Sequence, residues 1–202
     1  MTTTDDKRQA WNERYAERAY VWTEEANQFV AAHLGDLTPG RAIDLAAGEG
    51  RNAVWLTARG WKVTAVDFSS AGLAKAARLA EDHGVTIELI EADATTWQPS
   101  EPVDLVLISY LQLPPEGRAA VLDHARTWLR PGGTLFLVGH DKTNVEGGHG
   151  GPSSPDVCYG LDETVSALEG LEITTAEVAE RHVDTDDGDR VALDTLIIAR
   201  RP

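Results

Sequence analysis

Three aspartates and one glycine loop are the residues of this chain best placed for chemistry. Asp44 lies in the short apolar run Arg41–Leu45, Asp67 follows Trp61–Val66, and Asp93 follows Val85–Ile90. After Asp44 comes Ala46-Ala47-Gly48-Glu49-Gly50, where only Glu49 carries a side chain beyond Cβ. Such a backbone turns tightly and lets a ligand approach it. Asn52–Arg59 then reads as a helix, whose first N–H groups point over the loop. Ala46, Gly48, Gly50 and Asn52 are therefore candidate ligand contacts. Asp67 comes 17 residues after Gly50, near the spacing at which a carboxylate meets the ribose hydroxyls of a nucleotide. It accepts both hydroxyl protons at once. Asp93 is placed to accept from an adenine amino group, and Phe68 to lie against the adenine ring. A single aspartate at a strand end is usually a turn or cap residue; the three in order on consecutive strands carry the signal.

The elements that position these groups alternate. Strands are expected at 41–45, 61–66, 85–90, 103–109 and 134–138, with helices over 52–59, from Ser69 or Ser70 to about His83, and from Pro114-Pro115 to the Pro131-Gly132-Gly133 break. Alternation of this kind predicts a parallel sheet covered on both faces. Val103–Ser109 is apolar enough to be buried on both sides. No strand is expected before residue 40. Helices over 5–18, with Trp11 and Tyr15 four apart on one face, and over 24–34 read as a lid. Residues 139–160 are rich in Gly, Ser and Pro and hold His140 and His149. A helix at 161–168 and two strands, Leu171–Arg181 and Val191–Ala199, complete the chain; the last two form an antiparallel hairpin around 184–189. The 202 residues are read as one domain: a lid (1–35), a cofactor-binding core (41–139) and an acceptor-side segment (140–202).

With 18 Lys and Arg against 33 Asp and Glu, the formal charge is −15. An acidic surface argues against nucleic-acid and anionic-membrane partners. No stretch has the apolar length of a signal core or membrane span, so a cytoplasmic protein is expected. Cys158 is the one cysteine, which excludes a disulfide within the chain. No metal site is expected, because His140 and His149 sit in a glycine-rich loop without rigid geometry.

Two nucleotide cofactors compete for the loop. Gly48-Glu49-Gly50-Arg51-Asn52-Ala53 matches the dinucleotide fingerprint GxGxxG/A, the mark of an NAD(P)-dependent oxidoreductase. Against it, Asp44 would face a pyrophosphate, the sheet closes with an antiparallel hairpin after five parallel strands, and about 60 residues remain after the fifth strand. Four motifs point elsewhere: Ile-Asp-Leu-Ala-Ala-Gly-Glu-Gly-Arg-Asn, Val-Thr-Ala-Val-Asp-Phe-Ser, Glu-Ala-Asp-Ala and Leu-Arg-Pro-Gly-Gly-Thr-Leu. On these the chain resembles the class I S-adenosylmethionine-dependent methyltransferases. It is most similar to the small tellurite-resistance-like members, through Gly-Arg-Asn at 50–52, Trp-Asn-Glu-Arg-Tyr at 11–15 and His182…Gly188-Asp189-Arg190.

The resemblance implies a Rossmann-like, doubly wound α/β fold with seven strands in the order 3-2-1-4-5-7-6, the last antiparallel. It implies S-adenosylmethionine as cofactor, S-adenosylhomocysteine as product and a small-molecule methyl acceptor. The Gly48–Gly50 loop would carry the methionine part, Asp67 the ribose, and Asp93 with Ala94 the adenine. Ser109 and Tyr110 would flank sulfonium and acceptor, and Arg14 and Tyr15 would close over the cofactor. His182 and Arg190 match the histidine and arginine associated with the acceptor site. Val183 stands where a second basic residue is expected, a departure that bears on tellurite as substrate. Methyl transfer is an in-line displacement that needs no base for an anionic acceptor. For a neutral one, His182 is the leading base and His140 the second, since histidine titrates near ~6.5. Trp22, Tyr110 and Cys158 are candidate acceptor-lining residues. A non-catalytic adenosylmethionine-binding protein is the remaining alternative.

Overall fold

The computed structural model describes residues 4–185 and 188–202. Its strands are β1 (Arg41–Leu45), β2 (Lys62–Asp67), β3 (Glu88–Glu91), β4 (Val103–Ser109), β5 (Leu129–His140), β6 (Glu172–Thr185) and β7 (Gly188–Arg200). They form one seven-stranded sheet in the order β3-β2-β1-β4-β5-β7-β6, with helices on both faces. This is the order the resemblance implied. Among the described residues no helix is long and apolar enough to cross a membrane.

The chain divides into two compact units, one ending at Trp97 and the other spanning Gln98–Pro202. The first holds α1 (Thr4–Ala16), α2 (Gln28–Leu34), α3 (Arg51–Thr57) and α4 (Ser70–Asp82) with β1 to β3. β1 pairs with β2, and β2 with β3, both in parallel. The buried faces are apolar: Ile43 and Leu45 on β1, Val63 and Val66 on β2, Leu56 on α3, Leu73 and Leu79 on α4. Two boundaries differ from expectation for local reasons. α2 starts at Gln28 rather than Glu24, because the Asn27 side chain accepts from the Phe29 and Val30 N–H groups and caps the helix there. β3 starts at Glu88 rather than Val85, because the Val85 N–H bonds to the Ala80 carbonyl and Val85 and Ile87 pack against Leu79 at the end of α4.

The second unit holds β4 to β7 with α5 (Pro115–Trp128), α6 (Asn144–Gly147) and α7 (Leu161–Ala167). β4 runs parallel to β5, and β7 is antiparallel to both β5 and β6. β5 is longer than the expected 134–138. It begins at Leu129, opposite Val103, and the register then skips to Leu105 opposite Thr134, so Pro131-Gly132-Gly133 forms an irregularity inside the strand. The terminal hairpin is also longer than expected, extending to Thr185 and resuming at Gly188. The 139–160 stretch is pinned at its ends by an Asp141–Tyr159 bridge and contains α6 and a short turn at Pro155–Val157.

Candidate functional site

In the first unit, β1 runs into a turn that places Ala46 (φ 63), Gly48 (φ 56) and Gly50 (φ 79) in the left-handed region. The Ala46 and Ala47 N–H groups both donate to the Val66 carbonyl, at 2.8 and 3.0 Å. Asp67 then ties the two strand ends together: its Oδ2 accepts from the Gly48 N–H and its Oδ1 from the Ser69 N–H, each at 2.8 Å. The Phe68 N–H also bears on the carboxylate, which still has lone-pair capacity left over. Asp44 is 1% exposed, and neither of its oxygens has a hydrogen bond of ordinary geometry among the described residues, though the Ala53 N–H and the Arg51 charge both favour its ionised form. Burial, and then the charge of Asp67, push its pKa up to about 7. A buried carboxylate without a well-aligned donor is the complement of a cationic ligand group.

Asp44 also sets a pH dependence. Its folded pKa lies above its unfolded one, so the folded state binds the extra proton between roughly pH 4 and 7. Stability from this group is full below pH ~4 and lost as the pH rises toward 7. The difference in unfolding midpoint between Asp44→Asn and the parent is expected to move in favour of the variant across that window. A constant difference from pH 4 to 7 would mean Asp44 is ionised throughout.

Other predicted contacts are engaged locally. Asp93 Oδ1 accepts from Thr95 N and Oγ1, at 2.8 and 2.7 Å, and so closes a turn, while Oδ2 has no partner among the described residues. Ala94 and Phe68 are half-buried beside their aspartates. Asn52 is turned to the N-terminal segment, its Oδ1 accepting from Asn27 N at 2.9 Å. The Arg14 guanidinium lies 4.9 Å from the Trp11 ring centroid and 5.0 Å from that of Trp22, a residue 39% exposed. Tyr15 is buried over the loop; a Cβ on Gly48 would lie 2.6 Å from its hydroxyl. Glu49, which the sequence reading passed over, is buried and ion-paired with Lys75 at 2.8 Å.

In the second unit, a polar cluster stands at the carboxyl ends of β4 and β5. Ser109 ends β4 and is half-buried. Tyr110 follows in the left-handed region (φ 54), its N–H donating to the Val138 carbonyl. Its hydroxyl donates to Asp194 Oδ2 at 2.6 Å. Arg181 Nε lies 2.7 Å from the same oxygen and 3.0 Å from the Tyr110 hydroxyl. His140 stacks on Tyr110 with ring centroids 4.8 Å apart, and its Nδ1 is 3.3 Å from Asp194 Oδ1, an ion-pair separation without hydrogen-bond alignment. Asp194 is 0% exposed. Burial pushes its pKa up, but His140, Arg181 and Tyr110 together hold it below the usual carboxylate range.

Strand register explains the cluster and corrects one expectation. His140 is the direct cross-strand neighbour of Asp194, and Ala179 faces Asp194 from the other side. Arg181, two residues beyond Ala179, shares that face and reaches Asp194 diagonally. His182 points to the opposite face. Its side chain is 67% exposed and its Nδ1 lies 2.8 Å from Asp189 Oδ2, whose hydrogen bond and charge raise the histidine pKa. Arg190 is exposed, opposite Val183. The hairpin thus contributes Arg181 and Asp194 to the cluster, in place of His182 and Arg190. Cys158 is buried, with its thiol pKa raised first by burial.

Residues 42–133 match a family described as a methyltransferase domain. The chain is 38% identical over 106 residues to trans-aconitate 2-methyltransferase of Streptomyces avermitilis, a stretch covering 48% of this chain and 38% of that protein. The chain thus spans under two fifths of the length of the curated relatives it matches. The N-methyltransferase NodS of Bradyrhizobium japonicum WM9, solved with S-adenosyl-L-homocysteine, superposes with a TM-score of 0.74 at 16% identity, covering 96% of this chain and 98% of that one. TehB of Haemophilus influenzae superposes at 0.72 with 18% identity, covering 95% and 67%. At these identities the two structures bear on the fold.

Proposed function

Because the chain carries a methyltransferase domain in the class I S-adenosylmethionine-dependent methyltransferase fold, we propose that it transfers a methyl group from S-adenosylmethionine to a small-molecule acceptor. The observation that carries this reading is the Gly48 turn with its two carboxylates. Asp44, buried and without a hydrogen bond of ordinary geometry, suits the ammonium of an amino-acid moiety; Asp67 has lone-pair capacity left for a ribose hydroxyl; Asp93 Oδ2 suits an adenine amino group. Bound there, the cofactor supplies a methyl group on a cationic sulfur that leaves as a neutral thioether.

The acceptor is assigned to the polar cluster of the second unit. Two relatives are trans-aconitate 2-methyltransferases, so carboxylic acids head the acceptor panel. The Arg181 Nη groups have no partner among the described residues, and a guanidinium fork suits a carboxylate. A carboxylate nucleophile requires no base. For a neutral hydroxyl or thiol, the Asp194 carboxylate favours the His140 tautomer protonated on Nδ1, leaving Nε2 to take the acceptor proton. His140→Gln is then expected to lower turnover of such an acceptor by about 10²-fold or more, while His182→Ala leaves turnover unchanged. A loss in His182→Ala with His140→Gln unaffected would return the base role to the hairpin end.

The test of the proposal is thermal unfolding with S-adenosylmethionine, S-adenosylhomocysteine, NAD and NADP in parallel. Stabilisation by the first two alone is expected. Stabilisation by a dinucleotide alone would sink the methyltransferase reading in favour of the GxGxxA match. Binding of the adenosyl compounds with no methylation across acids, thiols, phenols and amines would leave a cofactor-binding protein without catalysis.

A further inference from the structure

The side chains of the glycine loop and the start of α3 face the N-terminal segment. Glu49 is 3% exposed. Its Oε1 and Oε2 each lie 3.0 Å from the Val21 N–H, and Oε2 also accepts from the Trp22 N–H at 3.0 Å. Lys75 Nζ donates to Oε1 at 2.8 Å and to the Arg18 carbonyl at 2.7 Å. Arg51 Nη1 donates to Thr23 Oγ1 at 3.1 Å, and Asn52 Oδ1 accepts from Asn27 N at 2.9 Å. Residues 49, 51 and 52 therefore grip residues 21–22, 23 and 27 in the same order along the chain. On the other flank, Asn12 Oδ1 accepts from Ser69 Oγ at 2.6 Å and Ala71 N at 3.2 Å.

The gripped stretch, residues 17–27, contains neither helix nor strand. Its backbone N–H groups at 21 and 22 have no secondary-structure ladder, so the Glu49 carboxylate is their partner. The dependence runs both ways, because a carboxylate this buried is tolerated only while its donors stay in place. The segment and the loop conformation thus stabilise each other.

We propose that Glu49 is a positioning residue that couples residues 17–27 to the glycine loop, so that the folded segment and the cofactor-ready loop form one two-state element. This rests on the reading that the loop holds the adenosyl cofactor. A ligand that favours the loop conformation then orders the segment, and loss of the segment's grip weakens the ligand by the same factor. Tyr15, seated over Gly48, lies at the end of α1 directly before this segment.

The experiment compares the full-length chain with Glu49→Gln. Glutamine keeps the size but removes the charge and turns an N–H₂ toward a donor. Hydrogen exchange at the Val21 and Trp22 amides is measured with and without S-adenosylhomocysteine, and affinity by calorimetry. In the parent, S-adenosylhomocysteine is expected to slow exchange at both amides. In the variant, exchange without ligand is expected to be faster and affinity to fall by about 5- to 50-fold, within the usual range of site coupling. Faster exchange with unchanged affinity would overturn the coupling and leave the cofactor reading standing. Absence of S-adenosylhomocysteine binding in the parent would remove the cofactor reading, and the coupling with it. Should Glu49→Gln fail to fold, Thr23→Val, which removes the hydroxyl that accepts from Arg51 and leaves the Arg51 charge in place, is judged by the same two measurements with a smaller expected fall.

Discussion

Replacing Arg181 with methionine is expected to lower the unfolding free energy by about 3–5 kcal/mol at neutral pH. The reason is Asp194, fully buried and dependent on Arg181 for the one permanent cation among its partners. Methionine keeps much of the packing volume and leaves the charge in place without its counter-charge. The sign with pH follows. In the parent, Asp194 titrates below its ordinary value, so its contribution is present above the unfolded pKa near ~4 and lost as the pH falls through the folded pKa. Without Arg181, burial dominates, Asp194 binds a proton more readily, and the deficit of the variant shrinks as the pH is lowered. The double variant Arg181→Met with Asp194→Leu is expected to recover most of the loss, because both charges are then gone. Urea unfolding at pH 7 and pH 4.5 checks all three statements. A loss under about 1 kcal/mol at pH 7, the scale of an exposed ion pair, would mean that Tyr110 and His140 alone compensate Asp194.

The sheet was legible because its inner strands are short apolar runs closed by aspartate, glycine or proline. β4, with Val103 and Leu105 to Ile108 buried, reads correctly from composition alone. Boundaries failed where side chains overrule pattern: Asn27 caps α2 so that it starts at Gln28 and not Glu24, and Val85 and Ile87 fold back on α4 before their strand begins. The hairpin is longer than expected because Asp-Thr-Asp-Asp-Gly-Asp at 184–189 reads as a solvated connection, although the strand pairing continues to Thr185 and Gly188. Its two residues in the polar cluster were missed for different reasons. Asp194 carried a usable signal, a lone carboxylate within Val-Ala-Leu-Asp-Thr-Leu-Ile-Ile-Ala, where a buried charge needs partners. Arg181 carried none, since its face is fixed by register and a shift of one residue exchanges it with His182. Glu49 was visible as the one long side chain in a loop of small residues, but the donors it holds are backbone N–H groups 27 and 28 positions earlier, which sequence pattern does not reveal.

Gly50→Ala is expected to be the most damaging small change in the loop. The residue caps α3 at φ 79, in the left-handed region, and a Cβ there would lie 2.5 Å from Ala76 Cβ and 3.0 Å from Ala76 Cα. Ala76 is fully buried inside α4, so the clash is with a packed helix and not with a side chain that swings away. Two costs add: about 1 kcal/mol for an L-residue in the left-handed region, and about 1–3 kcal/mol for overpacking. The same displacement moves the N-terminus of α3, which carries Arg51 and Asn52, so loss of S-adenosylhomocysteine binding is expected alongside the loss of stability. The two costs are separable. Ala76→Gly removes the atom that the new Cβ meets and by itself costs about 1 kcal/mol in a helix interior. In the double variant the 2.5 Å clash with the Ala76 Cβ is gone while the 3.0 Å approach to its Cα and the backbone part stay, so Gly50→Ala with Ala76→Gly is expected to be less destabilised than the sum of the two single variants. A coupling of about 1 kcal/mol or more in a double-mutant cycle agrees with the close approach of the loop to α4. Strict additivity would mean that the loop yields instead, and that φ alone makes glycine necessary at position 50.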